Sequence, residues 1–205
     1  WCLENKVAMF VNTMWSGLCS TKPDTEATWA EMLNRGYTAI QTDRPSELAG
    51  YLAAYNRDRS AQSVIEAEHF HGFNYGTQGF SVPAAADSRL NKKVEKLTAG
   101  DYLEYRRIVF DGTETLLNLT MQSLSGGTLG VYLDGLAEEN RIAQLTLASS
   151  EDYRTVTAVL DKTPETGTHT VYLRFTGAPK QALASLDSFR FVSAACFTDA
   201  QLEEL

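Results

Sequence analysis

The chain has 205 residues, of which 43% are hydrophobic and 21% charged, with a formal net charge of -8 and a pI near 4.9. That length holds one sizeable domain, or one domain and a fragment of another. The acidity excludes nucleic acid and anionic membranes as expected partners, and with no run of eighteen apolar residues no membrane span is expected.

The opening WCLENKVAMF has neither a basic n-region nor a cleavage site, so it does not read as a signal peptide. Charge is uneven: residues 1 to 60 carry net -1 and residues 61 to 205 net -7. Cys2, Cys19 and Cys196 are too few and too irregular for a disulfide scaffold or a metal knuckle. Pairing of Cys2 with Cys19 and three buried free thiols are both open readings.

In chain order, KVAMFVNTMW is a continuous apolar run, as expected of a strand buried on both faces of a parallel sheet. DTEATWAEMLNRG predicts a helix capped by Asp24 or Thr25, with Ala27, Trp29, Ala30 and Leu33 inward and Gly36 as its stop. YTAIQTD reads as a second buried strand, and Pro45 opens a second helix with Leu48, Leu52 and Ala53 on one face. Two β-α units cannot enclose a core of their own.

The residues FVNT and GYTAIQTDRPSELAGYL, over roughly 5 to 55, resemble the C-terminal end of the glycerophosphodiester phosphodiesterase family. The resemblance implies the last part of a (β/α)8 TIM barrel and a parent that is a phosphoric diester hydrolase using a divalent metal. Its catalytic His and Glu/Asp residues would lie upstream of Trp1, so this chain alone is expected to be non-catalytic, its missing upstream barrel being a partner. Asn12 and Asp43 fall at predicted C-terminal strand ends, where barrel active sites assemble. They read as barrel active-site neighbours, with capping of the Pro45 helix as the alternative for Asp43.

NRDRSAQS at 56 to 63 is polar, and the linker is set at 59–63. Beyond it, SVIEAEHF, DYLEYRRIVF, TLLNLTMQSL, GTLGVYLDG, AQLTLAS, YRTVTAVL, HTVYLRFTG and SLDSFRFV are short β-prone runs separated by turns. They predict an antiparallel β-sandwich, a jelly roll, with Val171, Leu173 and Phe175 on one face and Thr170, Tyr172 and Arg174 on the other. Asp134 and Gly135 signal a hairpin. The fold expected is therefore mixed: residues 1–58 a β-α-β-α barrel fragment, 64–194 the sandwich, 195–205 a tail.

IEAE, GDYLEY, VYLDG, GTHTVYLRFTG and SLDSFRF, in that order over roughly 64 to 192, resemble the family 6 carbohydrate-binding modules. Alternation along a strand puts Glu66 and Glu68 on one side, where a hard cation relieves their repulsion. The resemblance implies a structural Ca2+ held by Glu66, Glu68 and Asp187, with a carbonyl near Arg89; a solvated pair of carboxylates is the alternative. His69 and His71 share a face without a third ligand nearby, so a transition metal is not expected.

Sugar binding needs exposed rings for stacking and polar groups for hydroxyls. The positions the resemblance implies read Lys96, Tyr153 and Ser185, of which only Tyr153 matches the family pattern. Phe73 and Tyr75 replace the lost ring or cover the core edge; the module binds at this end, on its concave sheet face, or not at all. The Asn118 glycosylation signal NLT lies within a predicted strand and reads as chance. The expected function is an accessory glycan-binding module of a secreted, bacterial-type extracellular or cell-surface phosphodiesterase. The alternative is a jelly roll that only packs on the barrel or a protein partner.

Overall fold

The structure, a computed structural model, describes residues 9–12, 24–35, 37–74, 80–82 and 92–194. Tyr75, Gly36, Arg89, the three cysteines and the 195–205 tail lie outside the described residues.

The front segment has the order expected: β1 (Phe10–Asn12), α1 (Glu26–Asn34), β2 (Ala39–Gln41) and α2 (Pro45–Tyr55). Thr25 is the cap of α1, its hydroxyl accepting from the Thr28 N–H at 3.4 Å, and Pro45 stands in the first turn of α2. β1 and β2 pair in parallel, Phe10 opposite Ala39. They are less buried than expected of an inner barrel strand: Phe10 is 65% exposed, and Ala39 and Gln41 are exposed. Asp43 is exposed and does not cap α2, whose N-cap is Arg44 without a side-chain hydrogen bond.

The buried carboxylate of Asp24 organises this end. It accepts from the Trp29 indole at 2.5 Å, from the Asp43 N–H at 3.2 Å and from the Thr42 hydroxyl. On α2, Leu48, Tyr51 and Ala54 are buried while Ala53 is exposed, so Tyr51, not Ala53, anchors the inner face.

The remaining strands are β3 (Arg59–Ser60), β4 (Ile65–Glu66), β5 (Gly72–Asn74), β6 (Val94–Thr98), β7 (Tyr102–Phe110), β8 (Glu114–Ser123), β9 (Gly127–Leu133), β10 (Arg141–Leu147), β11 (Arg154–Val159), β12 (Gly167–Thr176) and β13 (Ala182–Ser193). One sheet runs β10-β9-β12-β7, with β3 and β5 sharing the far edge of β7; the other runs β11-β8-β13, with β4 and β6 along β13. Their inner faces interdigitate as in a sandwich. Leu103, Tyr105, Val171, Leu173 and Phe175 meet Leu117, Leu119, Phe189 and Phe191 in one core, with Tyr105 and Phe189 edge-to-face at 4.8 Å.

Residues 59–63, expected as a linker, are built into this sandwich. Arg59 and Ala61 are buried, the Ala61 N–H donates to the Val109 carbonyl at 2.8 Å, and its carbonyl accepts from Phe191 at 2.8 Å.

The helices belong to the same core. Trp29, Ala30, Leu48 and Tyr51 pack in one cluster with Phe70 and Ile65, and the Tyr51 hydroxyl donates to the Phe70 carbonyl at 2.6 Å. The Lys92 ammonium, itself buried, donates to Glu26 at 2.6 Å and to Glu47, which also pairs with Arg44 at 2.5 Å. This packing does not support a TIM-barrel fragment: the inner faces of both helices share one core with sandwich side chains.

Candidate glycan-binding surface

Three places gather side chains suited to recognition: the outer face of the first sheet, the loop end holding Tyr153, and the carboxylates around β4.

Strand register builds the first. Arg141 stands opposite Tyr132, Tyr132 opposite Tyr172, Tyr172 opposite Glu104 and Glu104 opposite Gly72, so one cross-strand row crosses β10, β9, β12, β7 and β5. A parallel row beside it holds Gln144, Gly130, Arg174, Tyr102 and Asn74. With strands about 4.8 Å apart, each row is about 19 Å long. Tyr102 and Tyr172 meet edge-to-face at 5.9 Å and are both half-buried. Their phenols are pushed up, first by burial and then by the Glu104 charge, which keeps them as neutral donors. Tyr132 lies flat over Gly130, where any Cβ would stand 2.7 Å from its ring. Rings flanked by Glu104, Arg106, Arg174 and Gln144 suit a polyol with an apolar face.

At the loop end, the expected positions do come together. The Lys96 N–H donates to the Ser185 hydroxyl at 3.3 Å, and Ser185 hydrogen-bonds Tyr153. The Tyr153 phenol is pushed up by burial, against that hydrogen bond, and further by Glu95 and Asp187. One face of its ring is already occupied, the Lys93 ammonium lying 3.6 Å from the centroid. Phe73 stands elsewhere: in β5 it faces inward opposite Leu103 and packs edge-on against Phe70 at 5.7 Å and Phe80 at 5.5 Å. It covers the core edge, as the alternative for it held.

The acidic group differs in geometry from the expectation. β4 ends at Glu66, and the chain turns, the His69 N–H donating to the Glu66 carbonyl at 3.1 Å, so a turn and not strand alternation sets Glu68 beside it. The Ala67 N–H donates to the Asp187 carbonyl at 2.9 Å, bringing β13 to the same place. Glu68 is pushed up to about 8, chiefly by burial and then by Glu66 and Glu26, against hydrogen bonds from its own N–H and that of Lys92. Glu66 is raised by burial and by Asp187. Glu68 Oε2 and Asp187 Oδ1 are buried without hydrogen-bond partners. Among the described residues no three acidic or imidazole groups already close into a metal cage. The orphaned oxygens are nevertheless what a hard cation would satisfy.

The histidines of this stretch are not a metal pair. His71 uses both ring nitrogens, accepting at Nδ1 from the Arg106 N–H at 3.1 Å and meeting the Tyr55 carbonyl at Nε2 at 2.9 Å. Asn118 stays in its strand, its amide oxygen accepting from the Thr157 hydroxyl at 2.8 Å.

Residues 66–193 match the family described as carbohydrate binding module (family 6). The chain belongs to that family. Among solved structures, the module is similar to a β-1,3-glucan-binding family 6 module from Bacillus halodurans, at 20% identity and a TM-score of 0.58, covering 67% of this chain and 100% of that one. It is also similar to a family 6 module from Clostridium cellulolyticum in complex with xylose, at 25% identity and a TM-score of 0.56, covering 66% and 100%. A third is a glycoside hydrolase family 43 arabinoxylan arabinofuranohydrolase from Bacillus subtilis in complex with cellotetraose, at 21% identity and a TM-score of 0.55, covering 67% of this chain. The chain spans only 28% of that enzyme's length. No curated protein matches the sequence. Among the described residues no helix is long and apolar enough to cross a membrane.

The sequence-based site overlooked the sheet-face tyrosines. Tyr172 was legible as outward-facing, but its alignment with Tyr132 and Glu104 depends on register between strands far apart in sequence.

Proposed function

We propose that this chain binds a glycan across the outer face of β10-β9-β12-β7, stacking a sugar ring on Tyr172 and Tyr102. The supporting observation is the row in which Tyr172 stands between Tyr132 and Glu104. The rings take the apolar face of a sugar, and Glu104, Arg174 and Gln144 take its hydroxyls. Titration with cello-, xylo- and laminari-oligosaccharides, the sugar types named for the similar structures, tests it: binding by the parent chain and loss in Tyr172→Ala is the expected result. An unresponsive panel favours the jelly roll that packs on another protein. The Tyr153 end is the second reading, favoured by its contact with Ser185 and Lys96.

The carboxylates Glu66, Glu68 and Asp187 are proposed to hold a structural calcium ion, which would satisfy the two orphaned oxygens and offset the mutual repulsion. The front segment is proposed to derive from the end of a glycerophosphodiester phosphodiesterase barrel in an extracellular protein. Its β-α-β-α order and the Thr42, Asp43, Pro45 strand end support that origin. Asn12 and Asp43 stay active-site neighbours only within such a parent. Incubation of this chain with glycerophosphocholine and divalent metal is expected to give no turnover; measurable release of glycerol 3-phosphate would overturn the non-catalytic reading.

A further inference from the structure

Beyond the sheet face, an open hollow of about 370 Å³ lies between α1 and β5, lined by Glu31, Asn34, Arg35 and Phe73. Helix α1 precedes the stretch that matches the module family, so this wall is an addition of this chain. The hollow and the tyrosine row are joined by contacts. Asn34 Oδ1 accepts from the Arg106 guanidinium at 3.1 Å, and Arg106 Nε donates to Glu104 at 2.5 Å. Glu104 is the neighbour of Tyr172 in the row, and it lies across Gly72, where any Cβ would stand 2.6 Å from its Oε2. From β12 across β7 to β5 is about 10 Å, so a ligand longer than one ring that stacks on Tyr172 and runs along the row arrives at the β5 edge, where Asn34 of α1 meets Arg106 and the exposed part of Phe73 turns toward the hollow.

The rim of the hollow has the chemistry to receive it. Phe73 is only partly buried and offers an edge of apolar ring, while Glu31 and Arg35, paired at 2.6 Å, offer acceptors and donors near solvent. Asn34 is held in place, its amide donating to the His71 carbonyl at 2.9 Å and its oxygen accepting from Tyr55 at 3.2 Å. Preset polar groups lose little freedom on binding.

Resting on the sheet-face reading above, we propose that α1 supplies a further subsite, so that the site prefers a polysaccharide chain over a short sugar and runs from Tyr172 past Glu104 and Arg106 to Phe73, Glu31 and Arg35. The subsite acts only on the distal units of an extended, uncharged glycan.

The test titrates the full chain with the biose and the hexaose of the β-1,3-gluco, β-1,4-gluco and β-1,4-xylo series and reads the ratio of their affinities. In the parent the hexaose of the preferred series is expected to bind roughly tenfold tighter than its biose. In Glu31→Ala/Arg35→Ala, and separately in Phe73→Leu, which keeps an apolar side chain in the core edge, the ratio falls toward one. A ratio near one in the parent, or a parental ratio kept in both variants, overturns the subsite while leaving the sheet-face reading in place. Absence of binding by all three series overturns both.

Discussion

The imidazole of His71 lies 4.5 Å from the ring of Tyr55, ring centre to ring centre, and its Nε2 meets the carbonyl of the same residue at 2.9 Å. Because Nδ1 accepts from the Arg106 N–H, Nε2 must carry the proton, and the ring is held neutral. One side chain thus joins the end of α2 to the edge of the sandwich, and neither nitrogen is left for a metal.

That geometry predicts a pH dependence. Burial, opposed by the hydrogen bond to Tyr55 and aided by Arg59, Arg106 and Arg107, lowers His71 from the ordinary value near 6.5 to about 4. The unfolded chain therefore takes up a proton that the folded one refuses, and stability present above pH 6.5 is lost as pH falls toward 4. The loss is on the order of 3 kcal/mol. Glu68, raised to about 8, slopes the other way over part of this window, so the comparison to make is with His71→Gln. Urea midpoints between pH 7 and 4.5 should fall more steeply in the parent; equal slopes would remove His71 from the account.

Lys92 carries a second prediction. Its buried ammonium is shared by Glu26 of α1, through Oε1, and Glu47 of α2, while Glu26 Oε2 is buried without a hydrogen-bond partner. Lys92→Met leaves Glu26 charged in the interior, and the expected cost is about 3 kcal/mol in urea unfolding. Adding Glu26→Gln removes the stranded charge and should recover part of that loss, a coupling that a double-mutant cycle measures directly. Independent, additive losses would mean that the ion pair does not join the helices to the module.

Much of this architecture was legible in the sequence. All eight β-prone runs of the second part contain strands, because alternation and turn residues are local signals. Thr25 and Pro45 placed the starts of both helices for the same reason. The short β3, β5 and β6 were not foreseen, since two to five residues at the edges of β7 and β13 take their pairing from neighbours distant in sequence. Periodicity identified the apolar face of α1 without revealing what covers it, so Trp29 read as a barrel residue when its neighbours are Tyr51 and the sandwich core. The same limit hid the tyrosine row, which exists only once five strands are in register.

The two candidate sugar surfaces make opposed predictions. If Tyr172 and Tyr102 carry binding, Tyr172→Ala lowers affinity more than tenfold, through loss of stacking area beside Glu104, while Tyr153→Ala changes it by less than about twofold. If the loop end carries it, the order reverses. Lys93→Ala then sharpens the contrast, because it uncovers the Tyr153 ring that the ammonium now occupies and should raise affinity. Calorimetric titration of the three variants with one hexaose decides between them.

The carboxylates give the last prediction. Glu68 Oε2 and Asp187 Oδ1 are buried and unpaired, and Glu66 stands close enough to Asp187 for each charge to oppose the other. Anything that binds the folded state alone stabilises it in proportion to the logarithm of its concentration over Kd. Calcium at a hundredfold excess over Kd is therefore worth about 2.7 kcal/mol, a rise in Tm of several degrees that EDTA reverses. Asp187→Asn and Glu66→Gln weaken the site by removing ligand charge, and both should flatten the response to calcium. In the absence of calcium the same substitutions relieve repulsion, so these variants should melt no lower than the metal-free parent. A parent whose Tm ignores calcium, or variants that keep the full response, would show that the three carboxylates hold no ion.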